Sequence, residues 1–333
     1  MDKITLSYGG GGSLTHKLID SLFIKELSNP ILNEKKDSAL FKIGNKAIAF
    51  TTDSYVVNPL FFPGGDIGSL AVYGAVNDLS VCGAKPLFIS LGIIIEEGLD
   101  KRLLEIIVKS IKLAAKRAGV KIVTGDTKVV EKGSCDKIFI NTSGIGEVYY
   151  PGLSTAGIRP GDSVILSGPM GEHAISVLSK REGISFSSRV KSDSAPLNGL
   201  IAGILKISDK VIFMRDPTRG GVATTLNEMV ADGKFGISIN ESKLPVTNGV
   251  RSACELLGFD PLYLACEGRV IIVARKDEEN KILKAMRRDP LGRRACLIGR
   301  VTEEYKGKVY LNTISSGKRI VSMLSGEQLP RIC

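Results

Sequence analysis

The chain closes on Pro330-Arg331-Ile332-Cys333, with a thiol on its last residue. A terminal cysteine cannot fill a core, and a free chain end is costly to order. Either the end is a frayed terminus that stops at Cys, or the rest of the chain works on this sulfur. Prenylation is excluded, because its signal needs three residues after the cysteine. The most specific internal stretch is Asp216-Pro217-Thr218-Arg219-Gly220-Gly221. An apolar, strand-like run ends there, proline turns the chain, and the glycines lead into a helical pattern from Val222. Backbone N–H groups at such a helix start, with Asp216 and Arg219 beside them, suit a nucleotide phosphate with bound Mg²⁺. A plain Asp-Pro turn is the alternative, and the Thr-Arg-Gly-Gly that follows argues against it.

Four further groups have chemical potential. Lys121–Val130 reads as a strand, so Asp126 and Lys128 point to one face. A carboxylate and an ammonium so placed suit a metal and a phosphoryl group, or form an edge salt bridge of little worth. The run Gly9, Gly10, Gly11 and Gly12 precedes a helical pattern and offers N–H groups to phosphate. It lacks the Lys-Ser/Thr ending of a P-loop, so a flexible linker stays open. Asn77 and Asp78 are polar residues in a helix of Gly, Ala and Ser, which marks them as lining a site. Glu267 sits at a glycine turn between apolar neighbours, where burial would raise its pKa toward that of a working base. A turn glutamate in water is the alternative.

These groups need elements to hold them. Ala47–Phe50 begins a strand that runs into Asp53. Asp66 caps a helix from Ile67 to Leu79. An apolar strand covers Leu87–Ile95. An amphipathic helix follows from Asp100 to Ala118 and stops at Gly119. Lys137–Val148 reads as another strand. The breaker-rich stretch from Tyr150 to Gly161 marks a domain boundary. The reading is a glycine-rich segment and helix over 1–35, an N-terminal domain over 36–155, a C-terminal domain over 156–322 and a flexible tail over 323–333. The last nine residues would reach about 30 Å if extended, and Pro330 would stiffen the final approach.

Bulk properties narrow the function class. A chain of 333 residues divides into about two domains. No apolar run nears the roughly 18 residues that span a bilayer, and the expected location is the cytoplasm. Six cysteines without CxxC spacing read as reduced thiols. Two distant histidines, His16 and His173, exclude a histidine metal cluster. The net charge of +10 favours acidic partners or a polyphosphate. With no tryptophan and 6% aromatics, base-stacking platforms are scarce, so nucleic acid is not the expected partner.

Taken together, Phe50-Thr51-Thr52-Asp53-Ser54, Phe61 to Gly68, Val76-Asn77-Asp78-Leu79, Val123 to Lys128, the Asp216–Gly221 stretch and the final Pro-Arg-Ile-Cys closely resemble the HypE family of hydrogenase maturation factors. Its superfamily includes aminoimidazole ribonucleotide synthetase and selenophosphate synthetase. The resemblance covers essentially the whole chain, and the terminal Pro-Arg-Ile-Cys is its most diagnostic part. It implies an α/β (α+β), two-domain PurM-like fold, with mixed sheets covered by helices and N-terminal sheets joined in a barrel across a homodimer. It implies ATP-dependent dehydration of an S-carbamoyl group on Cys333 to a thiocyanate, which supplies cyanide to the iron of NiFe hydrogenase. HypF would donate the carbamoyl group and a HypC–HypD complex would accept the product. ATP would be held by Gly9–Gly12, Asp66, Asn77, Asp216, Thr218, Arg219, Gly220 and Gly221. Mg²⁺ would be held by Asp53, Asp78, Asp126 and Asp216, with Glu267 as base and Lys128 beside the transferring phosphoryl group.

One position departs from the family pattern, since Cys266 stands where an Asn is usual and brings a second thiol near the expected site. Two other readings stay in view. An aminoimidazole ribonucleotide synthetase would not need Cys333. A non-enzymatic thiol carrier would need Cys333 but not the acidic residues.

Overall fold

A computed structural model describes residues 3–184, 190–326, 329 and 331–333. The chain starts with a short helix α1 (Ser13–Leu18), a π-helical segment (Ile19–Ile24) and α2 (Lys25–Leu27). The N-terminal domain then contains β1 (Ala39–Ile43), β2 (Lys46–Tyr55), a small hairpin of β3 (Phe61–Phe62) and β4 (Gly65–Asp66), and α3 (Ile67–Val81). It continues with β5 (Ala84–Glu96), α4 (Lys101–Ala118), β6 (Lys121–Val130) and β7 (Ile138–Val148). Its mixed sheet has the order β1-β2-β7-β5-β6, parallel only between β5 and β6.

Strand β2 shows how one face was chosen. Ala49, Thr51 and Tyr55 are buried, while Phe50, Thr52 and Ser54 are exposed. The period of two puts the first set against α3 and the second on an open face. Helix α3 starts from a capping box: the Asp66 carboxylate accepts from the N–H groups of Gly68 and Ser69, and the Ser69 side chain answers from N3. Thirteen of its fifteen residues are buried, because its other side meets the C-terminal domain. Small residues make that fit possible: a Cβ on Gly74 would lie 2.0 Å from the Tyr55 hydroxyl. Helix α4 is capped by Asp100 and ends at Gly119 in the left-handed region, as its sequence predicts.

The C-terminal domain contains β8 (Ser163–Leu166), α5 (Glu172–Arg181), α6 (Asn198–Ile207), β9 (Val211–Arg215), α7 (Gly221–Met229), β10 (Gly236–Asn240) and α8 (Asn248–Leu257). It ends with β11 (Ile271–Ala274), α9 (Glu279–Met286), β12 (Cys296–Thr302), β13 (Val309–Asn312) and β14 (Lys318–Val321). The sheet order is β14-β13-β10-β12-β8-β11-β9. Every residue of β8 and β11 is buried, which fits a sheet covered on both faces. Val164 and Leu166 pack with α7, whereas Ile165 packs with α6 and α9. No helix among the described residues is long and apolar enough to cross a membrane.

The tail is docked. The Val56 N–H donates to the Cys333 carbonyl at 3.0 Å, and the Asn58 N–H donates to that of Arg331 at 3.2 Å. Ile332 is buried. Pro330 lies outside the described residues.

Candidate active site in the interdomain cleft

Three carboxylates converge where α3, β9 and the segment before β1 meet. Ligand oxygens of Asp37, Asp78 and Asp216 all lie within 4.8 Å of one another. Each arrives by a different route. Asp78 projects from the buried helix α3, and its Oδ2 lies 2.8 Å from the Thr51 hydroxyl of β2. Asp216 follows the last residue of β9. Asp37 is steered by Arg215, whose Nε is 3.1 Å from Oδ1, while Arg215 Nη1 pairs with Glu228 at 3.1 Å. Burial raises the proton affinity of all three, reinforced at Asp78 by Asp216 and at Asp216 by Asp37. Asp216 is raised to about 7. Like charges forced together, with Asp216 buried and Asp37 and Asp78 half-buried, are a fitting set for a divalent cation, which would relieve both the repulsion and the desolvation.

Glu267 is also buried, and its Oε1 has no hydrogen-bond partner among the described residues. Burial pushes its pKa well above the usual carboxylate range, aided by Asp216, Asp193 and Asp53 and opposed by Arg219. The turn is held rigidly. The Gly268 N–H donates to Asp193 at 3.2 Å, and the Cys266 N–H donates to the Pro217 carbonyl at 3.0 Å. A Cβ on Gly268 would lie 1.8 Å from the Asp193 carbonyl oxygen, so only glycine fits. The solvated-turn alternative is therefore removed.

The Asp216–Gly221 stretch binds this turn to α7. Gly220 and Gly221 have φ of 72° and 61°, a left-handed pair that side chains disfavour. A Cβ on Gly221 would meet the Leu264 carbonyl at 2.6 Å. Arg219 reaches toward Asp53, 3.9 Å away, and charge at Cys333 is the main influence holding its guanidinium protonated. The glycine run packs onto this arginine: a Cβ on Gly11 would lie 2.6 Å from Arg219 Cβ, and one on Gly12 would lie 2.3 Å from the Leu324 carbonyl. Gly9, Gly10, Ser54, Arg219, Gly220 and Cys333 line one cavity of about 110 Å³. Backbone N–H groups, a guanidinium and a terminal thiol thus share one small space.

Several sequence expectations take a different form. Asn77 is not open to a ligand: its amide donates to the carbonyls of Ala195 (3.1 Å) and Glu267 (3.3 Å), and its Oδ1 accepts from the Leu197 N–H. It pins the Glu267 turn to α3. Asp66 is saturated by its cap and by Ser110, and lies about 18 Å along α3 from Asp78 at the helical rise. Asp126 and Lys128 form an exposed ion pair 3.1 Å apart on edge strand β6. Asp126 is in register with Gly92, Asn141 and Ser54 on the open face, and Lys128 with Ile94 and Phe139, whereas Asp53 lies on the covered face with Thr51. Three strand spacings, roughly 14 Å, separate Asp126 from Ser54. Within one chain Asp126 does not reach Asp78 and Asp216. The groove it lines adjoins the Cys333 cavity through Ser54 and Val56.

Cys266 points away from the cleft. It is fully buried, its sulfur accepts from the Gly171 N–H at 3.3 Å, and burial raises its pKa well above normal. No local pattern marks Asp37, which follows two lysines and reads as a solvated position. His173 is structural: buried, it lies 2.9 Å from the Ile332 carbonyl and 2.8 Å from Ser192 Oγ.

Comparison with known proteins agrees with this architecture. Models of the AIR synthase related protein match the chain at residues 35–148 for the N-terminal domain and 159–312 for the C-terminal domain. A curated relative from Cupriavidus necator, carbamoyl dehydratase HypE, is 47% identical over 99% of this chain and 95% of its own length. The chain belongs to the HypE family. A HypE structure solved with ATP is 46% identical, covers 99% of this chain and all of its own, and superposes with a TM-score of 0.84. A HypE from a HypE–HypF complex is 49% identical, with a TM-score of 0.87 over 92% of this chain and 99% of its own. As a HypE-family chain it has the two-domain PurM-like fold.

Proposed function

We propose that this protein is an ATP-dependent dehydratase that converts an S-carbamoyl group on its own Cys333 to a thiocyanate, as a source of cyanide ligands for a NiFe hydrogenase iron. The observation that carries this reading is the docking of the terminal thiol into a cavity shared with Arg219 and the glycine run, where the Arg219 guanidinium feels the charge of both Cys333 and the buried Glu267. Family membership supports it, since the curated relatives are named carbamoyl dehydratases and one HypE was solved with ATP.

The reaction removes one oxygen and two N–H protons from S–C(=O)NH₂. Bound ATP supplies the phosphoryl group that lets the amide oxygen leave as phosphate. Asp37, Asp78 and Asp216 would hold Mg²⁺, with Asp53 as a nearby anion. Gly9–Gly12, Thr218, Gly220 and Gly221 would face the phosphates. Lys128 and Asp126 would meet the nucleotide along the groove past Ser54. Arg219 holds the tail end by charge. Glu267 takes protons from the carbamoyl nitrogen, and its raised pKa makes it a stronger base than an ordinary glutamate. Asn77 keeps the base in place. Cys333 is a carried substrate rather than a nucleophile, so presentation of the tail governs turnover.

HypF would be the carbamoyl donor, in line with the HypE–HypF structure of a relative, and a HypC–HypD complex the acceptor. A homodimer would form through the open face of the N-terminal sheet, where Phe50, Ile145 and Phe88 stand in register and exposed. The deciding experiment is intact mass after incubation with the carbamoylating partner, then with ATP. The expected result is one carbamoyl group gained on Cys333, then one water lost. An unchanged mass would overturn the reading. Glu267→Gln should take up the carbamoyl group and stop there, with its circular dichroism unaltered.

A further inference from the structure

Helix α4 carries six basic residues, Lys101, Arg102, Lys109, Lys112, Lys116 and Arg117, against Glu105 alone. Its net charge is +5, half of the +10 carried by all 333 residues. All six are exposed, and among the described residues none is paired with a carboxylate; Arg117 instead lies over the Tyr73 ring. Solvated helices normally lace such charges with acidic neighbours at i+4. This one has a single acidic residue at that spacing, Glu105, four positions from Lys101 and Lys109, so its outer face still projects a positive field.

The same face is not merely charged. Ile106 and Leu113 are 49% and 66% exposed. They stand seven residues apart, two turns along one stripe, and Arg102, Lys109 and Lys116 complete it at helical spacing. The inward residues Ile107, Ile111 and Ala114 fill the core, so the outer apolar pair is surplus to folding. An apolar centre between long cationic side chains is the composition of a protein interface rather than of a plain solvated surface.

Position gives the surface a purpose. Helix α4 begins five residues after β5 ends at Glu96, and the Glu96 carboxylate accepts from the Gly133 and Lys137 N–H groups. That same loop contributes Asp136, which pairs with Arg331 of the docked tail at 2.6 Å. The start of α4 and the end of the tail therefore share one end of the sheet. The helix is about 27 Å long, comparable with the roughly 30 Å that the last nine residues can span.

We propose that the outer face of α4 is the docking surface for the protein that loads Cys333. Resting on the reading above, this is the carbamoyl donor, engaged through a carboxylate-rich face with an apolar seat for Ile106 and Leu113. Nucleic acid is disfavoured because the stripe has no aromatic ring for base stacking. An anionic membrane is disfavoured because the main apolar face of α4 is already packed in the core and leaves only Ile106, Val108 and Leu113 to insert.

The test measures binding of purified HypF to the full-length chain, with no turnover required. Lys109→Glu combined with Lys116→Glu should weaken binding at least tenfold and flatten its salt dependence, while ATP hydrolysis and circular dichroism stay unchanged. Leu113→Asp alone should weaken it several-fold at any salt concentration. Wild type and both variants binding HypF equally would overturn the docking surface and leave the dehydratase reading intact. Failure of the wild type to bind HypF would overturn the donor assignment itself. Vesicles of mixed phosphatidylcholine and phosphatidylserine serve as the second probe: wild-type binding to them, lost in the double variant while HypF binding persists, would assign the face to a membrane and overturn the proposal.

Discussion

Glu267, Asp78 and Asp216 have one physical feature in common: each is a carboxyl group that the fold makes reluctant to ionise. Folding without a cation is therefore linked to proton uptake. Asp216 has a raised folded pKa of about 7, against about 3.9 when unfolded. Its contribution to stability is complete below the unfolded value and is lost as pH rises through 7. In cation-free buffer the melting temperature should fall by several degrees between pH 6 and pH 8. Mg²⁺ should oppose that fall, and Asp216→Asn should flatten it. A profile equally steep in wild type and variant would place the linkage elsewhere. The buried thiol of Cys266 bears on a different question. A raised pKa and a buried sulfur make it inert toward alkylation, so it serves packing.

At the scale of elements, α3 is the member on which both domains depend. It covers the N-terminal sheet with one side and clamps the Glu267 turn through Asn77 with the other. Its glycines set the helix-to-sheet distance. Gly74→Ala would force a methyl group into the Tyr55 hydroxyl and should cost about 1–3 kcal/mol by overpacking. Urea unfolding checks the size of the effect, and an unchanged midpoint would mean that Tyr55 moves freely aside. The small-residue composition of α3 was plain in the sequence. Its burial on both sides was not, because composition marks close packing without saying how many neighbours pack.

The whole molecule brings its last residue back to the middle. Arg331 anchors that return: it pairs with Asp136, donates to the Val56 carbonyl at 2.9 Å and has a left-handed φ of 55°. Arg181 and His173 hold the carbonyls of Arg331 and Ile332. The Arg331–Asp136 pair is partly exposed, so it is worth about 1 kcal/mol or less. Asp136→Ala should therefore raise the alkylation rate of Cys333 only a few-fold, read by peptide mass. A rate unchanged in that variant would show that the backbone contacts alone set docking. A tail held by several weak contacts suits a thiol that must leave for a partner and return.

The sequence alone determined the local events. Capping boxes, glycine stops and alternating strands follow from neighbours a few residues apart, and α4 is capped and stopped where they predict. It also marked Asp78, Asp216, Glu267 and Cys333 as chemical residues, since each sits oddly for its surroundings. Only the tertiary structure decided which carboxylates meet. Asp37 joins through Arg215, a contact across 178 positions that no local pattern encodes. Within one chain Asp126 stands apart from them, because strand alternation and sheet order put it on the opposite face, about three strands away. Alternation is local, but which face is covered depends on where α3 and the C-terminal domain pack.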